Sequence, residues 1–167
     1  MAKEIERKFI VDPKIWNTTK VQKQIHDSEK LKQGYLSRAI SHSVRVRISS
    51  NNYAKLTIKG KQQGYTRDEF EYTIPVNDAK QLMKRCECVF KKVRHWIQVG
   101  DHLWSVDEFK GLNQGLFLAE IEISREDEKF EMPKWVMREV THDKRFTNTY
   151  LATHQLALDY DPYPRVR

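Results

Sequence analysis

The sequence predicts an α+β domain, mainly β, with seven or eight antiparallel strands and three or four helices. Three observations carry this reading. Seven stretches alternate apolar with polar side chains at a period of two, the mark of half-buried strands. Gly60, Gly64, Gly100, Gly111 and Gly115 punctuate those stretches. Few segments carry helical spacing or caps. The chain has 167 residues, with no internal repeat, low-complexity tract or Pro/Ser linker, so residues 1–167 read as one domain.

In chain order, residues 3–11 set Ile5, Phe9 and Val11 against Glu4, Glu6 and Lys8. Asp12-Pro13 opens a weakly periodic stretch read as helical from about Lys14 to Leu31. Residues 44–48, 54–59 and 67–74 alternate again. Asn77-Asp78 can cap a helix whose apolar stripe is Ala79, Leu82, Met83 and Cys86. Residues 90–99 and 102–109 form a pair joined by a tight turn at Val99-Gly100-Asp101-His102, and residues 116–124 alternate once more. Pro133 can start a short turn through Trp135 and Met137. Thr141 or Asp143 can cap a last helix through Phe146, Tyr150, Leu151, His154 and Leu158, stopped at Asp161-Pro162.

Thirty Lys+Arg against 23 Asp+Glu leave a formal charge of +7, which favours anionic partners without choosing among them. No apolar stretch approaches the roughly 18 residues of a membrane span. The N-terminus lacks the apolar run of a signal peptide. Cys86 and Cys88 are too close for a relaxed disulfide loop, so reduced thiols and a cytoplasmic location are expected.

One face of nearly every strand is charged, and the charges segregate by sign. Glu4/Glu6, Glu69/Glu71 and Glu120/Glu122 are acidic sets, while Arg45/Arg47, Lys55/Lys59 and Lys92/Arg94 are basic ones. Like charges two apart on a strand are about 6.6 Å from each other, from a rise of about 3.3 Å per residue. At an effective dielectric near 20 their repulsion is about 2.5 kcal/mol before solvent reduces it. An ordinary solvated outer face is one reading. The other is a shared interior, in which Glu4, Glu6, Glu69, Glu71, Asp107, Glu120 and Glu122 face Lys8, Arg45, Arg47, Lys55, Lys59, Lys92 and Arg94. Those acids suit Mg²⁺ or Mn²⁺, and those bases suit phosphate oxygens.

Glu4-Ile5-Glu6-Arg7-Lys8 is the ExExK signature of the CYTH domain, the triphosphate tunnel metalloenzyme superfamily. Gln33-Gly34-Tyr35-Leu36, Val44-Arg45-Val46-Arg47 and Leu56-Thr57-Ile58-Lys59-Gly60 follow in the family's order. So do Arg67 to Tyr72, Lys92-Val93-Arg94, Val106 to Phe109 and Ala119 to Ile123. Glu139-Val140-Thr141 through Asn148 also resembles the family's C-terminal end. The chain resembles that superfamily from residue 4 to about 148, and most of all its short bacterial group that splits inorganic triphosphate.

The resemblance implies an eight-stranded antiparallel β-barrel tunnel, charged faces inward, with flanking helices and a C-terminal helix. It implies metal-dependent hydrolysis of tripolyphosphate or a related triphosphate. Arg45, Arg47, Lys55, Lys59, Lys92 and Arg94 would grip phosphates. Glu4, Glu6, Glu120 and Glu122, helped by Glu69, Glu71 and Asp107, would hold Mg²⁺ or Mn²⁺. Lys8 is the catalytic candidate, positioning the water or terminal phosphate beside Glu4 and Glu6, with a simple phosphate contact as its other reading. A small-molecule triphosphate is the expected partner, with no nucleic acid and no membrane, and the chain is a monomer or homodimer. A class IV adenylate cyclase or thiamine triphosphatase is the enzyme alternative, and a phosphate- or nucleic-acid-binding module the non-enzyme one.

Other signals are assigned structural roles. Gly60 to Gly64 reads as a hairpin connection rather than a phosphate loop. The six histidines show no metal-ligand spacing. Tyr35 either lines the tunnel or fills core, Arg145 is a candidate for closing one mouth, and residues 160–167 read as an extended tail.

Overall fold

The computed structural model describes residues 3–156. Nine strands follow in chain order: β1 (Lys3–Val11), β2 (Ile25–Arg38), β3 (His42–Ser49), β4 (Tyr53–Gly60), β5 (Thr66–Ile74), β6 (Cys88–Val99), β7 (His102–Phe109), β8 (Phe117–Glu122) and β9 (Val136–Glu139). Four short helices join them: α1 (Pro13–Trp16), α2 (Thr19–Gln22), α3 (Val76–Met83) and α4 (Asn148–Leu151).

The strand order is β5-β4-β3-β2-β6-β7-β8-β1. β1 closes the ring: one edge pairs with β8 along Glu6–Ile10, and the other pairs with β5 at Lys3–Ile5. Farther along that second edge, Phe9 and Val11 take β9 as an extra strand. The result is a closed eight-stranded antiparallel barrel. Closure leaves no long exposed edge, and it gives every strand an inner and an outer face.

Two sequence expectations are corrected. The stretch from Lys14 to Leu31 is not one helix. It forms two single turns, whose Trp16 and Val21 enter the core, and then the first half of β2, the longest strand. β2 pairs along most of its length with β3 and β6. That long-range pairing outweighs a weak local helical bias. Likewise, the turn after Pro133 does not run on through Met137: Val136–Glu139 is an edge strand, tied to β1 by Arg7 and Glu139 at 2.6 Å.

The helix ends also differ in detail. Pro75 takes the N-cap of α3, leaving Asn77 and Asp78 inside its first turn. The last helix is broken in two. Asp143 accepts from the Arg145 N–H at 3.1 Å and caps a 3-10 turn, and Thr147 then caps α4. Leu158, Asp161, Pro162 and the tail lie outside the described residues. The hairpin at Gly100 is as expected, with Val99 opposite His102 and Gly100 at φ 57°, where glycine is unstrained.

Apolar side chains on the outer face need cover, and two groups of elements supply it. α1, α2 and the segment around Trp135 lie over Phe9, Trp104, Val106 and Ile121. α3 lies over Val46, Ala54 and Leu56. Gly34 permits the second contact: a Cβ there would meet Met83 Sδ and Cys86 Sγ at 2.7 Å. A third cluster sits inside one end of the barrel. Ile10, Phe109 and Leu118 share the strand faces of Lys8, Asp107 and Glu120, and Phe146 and Leu151 pack onto them.

Candidate functional site

The inward positions of eight strands line a central cavity of about 600 Å³. Glu4, Glu6, Glu69, Glu71, Glu120, Glu122, Arg45, Arg47, Lys55, Lys59 and Arg94 all face it. A narrower space of about 70 Å³ continues past Glu6, Arg45 and Lys59 to Lys8, Tyr35 and the start of α4. The two share those lining residues and form one passage. Lys92 and Asp107 are inward-facing but sealed beneath the lining, 1% and 2% exposed.

Two unlike walls meet across this space. The first carries Glu4 and Glu6 of β1, Glu122 of β8 and Glu69 of β5. Glu6 stands directly opposite Glu122 in the β1–β8 register. Neither makes an ion pair among the described residues. Lys59 is the cation within this group, 3.0 Å from Glu4 and 3.9 Å from Glu69. Burial pushes the Glu6 carboxyl up to about 7, with the Glu120 charge adding to it. Burial likewise raises Glu4, and burial followed by the Glu6 charge raises Glu122. The acids hold more negative charge than the cations beside them offset.

The opposite wall carries Arg45, Arg47, Lys92 and Arg94. Burial by itself would raise Asp107, but Arg94 and Lys92 outweigh it and hold the carboxylate far below its usual range. Arg94 reaches Asp107 through Nε at 2.7 Å and Nη2 at 2.9 Å, and Lys92 Nζ donates to the same carboxylate at 2.6 Å. Both Asp107 oxygens are therefore committed. Lys92 also reaches Asn148 of α4 at 3.3 Å. Glu120 is opposed by burial too, yet Lys8 and Arg94 draw it down to about 2.

Arg47 has no carboxylate partner among the described residues. Its Nε donates to Gln33 at 3.0 Å, and burial, then Arg45 and Arg94, press the guanidinium down to about 9. Arg45 is held by Thr57 at 3.1 Å, with Glu71 at 3.7 Å, and its Nε is buried with no hydrogen-bond partner among the described residues. This wall has more positive charge than its acids neutralise, an arrangement that suits an anion.

At the mouth, Lys55 pairs with Glu71 at 2.9 Å in a half-exposed setting. Deeper, Lys8 Nζ donates to the Phe146 carbonyl at 3.1 Å and lies 3.5 Å from Glu120. Tyr35, 3% exposed, both lines the narrow space and is buried, so its two readings merge. Arg145 is held by Asp143 at 2.6 Å.

Sequence reasoning missed Glu29, Gln33 and Asn148. Glu29 lines the cavity and accepts from Ser49 Oγ at 2.6 Å and Tyr53 Oη at 2.5 Å. The alternation of Glu29, Leu31, Gln33 and Tyr35 against Lys30 and Lys32 was the available signal. Reading residues 14–31 as helix hid its first half.

The donor set suits a hard divalent ion. The acid wall offers carboxylate oxygens with no histidine or cysteine among the lining residues. Among the described residues, no three Asp, Glu, His or Cys converge closely enough to enclose an ion unaided. Mg²⁺ commonly uses one or two carboxylates plus water and substrate phosphates, which fits an acid wall completed by an incoming anion. Likewise, none of the described helices is long and apolar enough to cross a membrane.

Comparison with known proteins places this arrangement. Residues 2–147 match the CYTH domain. The inorganic triphosphatase of Acetivibrio thermocellus is 41% identical over 153 residues, covering 90% of this chain and 94% of that protein. The inorganic triphosphatase of Nitrosomonas europaea is 34% identical over 154 residues, covering 89% and 96%. The crystal structure of the inorganic triphosphatase NE1496 superposes with a TM-score of 0.63 at 32% identity, over 91% of this chain and 95% of that one.

Proposed function

The chain belongs to the CYTH domain family, and from that premise we propose that it hydrolyses inorganic triphosphate inside the tunnel with Mg²⁺ or Mn²⁺. The observation that carries this reading is the confrontation of the two walls. An anion-seeking wall and a cation-seeking wall share one cavity, and a metal–triphosphate complex satisfies both.

The anhydride is cleaved when water attacks a terminal phosphorus, releasing orthophosphate and leaving pyrophosphate. The transition state asks mainly for charge neutralisation and alignment. Arg45, Arg47, Arg94 and Lys59 bind the phosphate oxygens from the cavity wall, and Lys55 draws the anion in at the mouth. Asp107 and Lys92 act from behind the lining, holding the Arg94 fork at a fixed angle. This assigns Asp107 to orienting a base rather than to holding metal. Glu4, Glu6 and Glu122, flanked by Glu69 and Glu120, would hold the metal, which when bound offsets phosphate charge and polarises the bonds to phosphorus. Lys8, at the narrow end beside Glu120, positions the terminal phosphate.

A second reading is favoured by one observation. Trp96, Leu103 and Tyr53 also line the wide end of the cavity, whose 600 Å³ lies within the roughly 300–1,000 Å³ of organic-ligand pockets. A triphosphate with an organic head, as in a thiamine triphosphatase or an adenylate cyclase, would use those surfaces.

One assay separates these readings. Tripolyphosphate, ATP and thiamine triphosphate are each incubated with Mg²⁺, Mn²⁺ or EDTA, and the products are identified. The proposal expects orthophosphate and pyrophosphate from tripolyphosphate, fastest with metal and abolished by EDTA. Cyclic nucleotide from ATP, or undiminished turnover in EDTA, overturns it.

A further inference from the structure

The outer face of the barrel has a feature that the tunnel does not use. Two adjoining depressions of about 460 and 540 Å³ lie side by side across β3, β2 and β6, sharing Lys32 and Ile48. Ile48, Val93 and Val89 form an apolar floor, and Val89 is 39% exposed. Besides the inward-facing Lys92, six lysines surround it: Lys30, Lys32, Lys91 and Lys110 on the strand side, Lys80 on α3 and Lys84 at its C-cap. No acidic side chain lines either depression.

The lysines stand in mutually repulsive positions. Lys32 is the direct cross-strand partner of Lys91, and both are exposed on the outer face. Like charges in that position destabilise a sheet. Lys30 follows two residues along the same face, about 6.6 Å away. Lys110 is paired, with Glu108 at 2.9 Å. Lys30, Lys32, Lys80, Lys84 and Lys91 make no ion pair among the described residues. In the tunnel, by contrast, every basic set faces acids.

Its position in the fold is equally specific. α3 covers the outer face of β2, β3 and β4, and α1 and α2 help cover the cluster around Trp104. The bare strip runs from the edge of α3 onto β6, a site for a helix lying beside α3. We propose that this groove docks an acidic amphipathic helix of a partner protein. Its apolar side chains would meet Ile48, Val89 and Val93, and its carboxylates would meet the lysine rim.

Charge and shape select this occupant over others. A free polyanion would make no use of an apolar floor. A single-stranded nucleic acid would seek aromatic side chains for stacking, and none lines the groove. A bilayer surface would meet a protruding apolar patch better than a concave one.

The test uses the full chain and a fluorescein-labelled helical peptide with leucines on one face and flanking glutamates, followed by anisotropy. Saturable binding is expected, weakened about tenfold or more by Lys32→Gln with Lys91→Gln and similarly by Val93→Ser. It should also weaken steeply between low and high salt. Lys91→Glu should raise the melting temperature of the free protein while removing peptide binding, because it converts a repulsive cross-strand pair into an attractive one. Tripolyphosphate turnover and melting curves verify that each variant is folded. The proposal fails if no saturable binding occurs, or if a shuffled peptide of the same composition binds as well. It also fails if phosphatidylserine vesicles or oligo(dT) bind more tightly with the same lysine dependence.

Discussion

The acid wall and the base wall of the tunnel are built from the same secondary structure and buried in the same space, yet they are held differently. On the base wall, Asp107 binds Arg94 and Lys92 with bonds of 2.6–2.9 Å, so a dense set of charges is internally anchored. On the acid wall, Glu6 faces Glu122 across a strand pair, and neither has an ion pair among the described residues. The first wall is preorganised, at the cost of fixing Asp107. The second is under electrostatic strain that the proposed metal ion would relieve. Preorganised cations and strained carboxylates are the complementary halves of the proposed polyphosphate site.

The contrast is sharpest in substitutions, taken from the largest expected effect to the smallest. Arg94→Met removes the proposed phosphate contact and leaves Asp107 buried with Lys92 alone. Turnover of tripolyphosphate should fall at least about 100-fold, and stability should drop by about 3–5 kcal/mol, read by denaturant unfolding. Glu6→Gln should also cost most of the activity, on the order of 100-fold. Its stability effect should have the opposite sign: the metal-free protein gains about 2 kcal/mol near pH 8, because a strained carboxylate is removed. If both variants lose stability alike, the distinction between the walls is wrong.

The pH dependence separates them again. Glu6 has its folded value raised from 4.5 to about 7, so the folded state binds this proton more tightly than the unfolded state. Its contribution to stability is full below about 4.5 and is lost as pH rises through 7. Glu120, held at about 2, behaves in reverse: its contribution is present above 4.5 and lost as pH falls toward 2. In melting curves with EDTA, the Glu6 effect should appear as a Tm falling by about 4–8 °C between pH 5 and 8 relative to Glu6→Gln, from roughly 2–4 °C per kcal/mol for a chain of this length. Saturating Mg²⁺ should cancel that fall above pH 7.

Lys55→Ala should do least. Its pair with Glu71 lies at the mouth, with the lysine side chain 37% exposed, and solvent screens it. A loss of activity below about tenfold, chiefly in KM and reduced further by added salt, is expected.

Much of this site was legible in the residue order. Strand parity alone placed Glu4, Glu6 and Lys8 on one face of β1, and Arg45 with Arg47 on one face of β3. Sign segregation made a shared interior a serious reading, and the ExExK opening with its companions favoured the tunnel. β2 was not legible as a strand at its start. Residues 14–24 are short turns, and the alternation that begins near Ile25 is mostly polar inside as well as outside. Glu29 and Gln33 share the inward face because of the register of β2 with β6, in which Glu29 lies opposite Arg94, and Gln33 also lies opposite Arg47 of β3. The anchoring of Asp107 was also invisible, since an isolated acid at period-two spacing looks the same whether it meets a metal or an arginine.

The residue order by itself determined which side chains share a strand face, because alternation is a local property of extended backbone. It also determined that like charges are paired along most of those faces, as in Glu4/Glu6, Arg45/Arg47 and Glu120/Glu122. Which faces meet was decided by tertiary structure alone. Opposing Glu6 with Glu122, and Arg94 with Asp107, depends on the register between strands far apart in the chain and on β1 closing against both β5 and β8. Electrostatic energy depends on those distances, so the division into a strained wall and an anchored wall exists only once the barrel is closed.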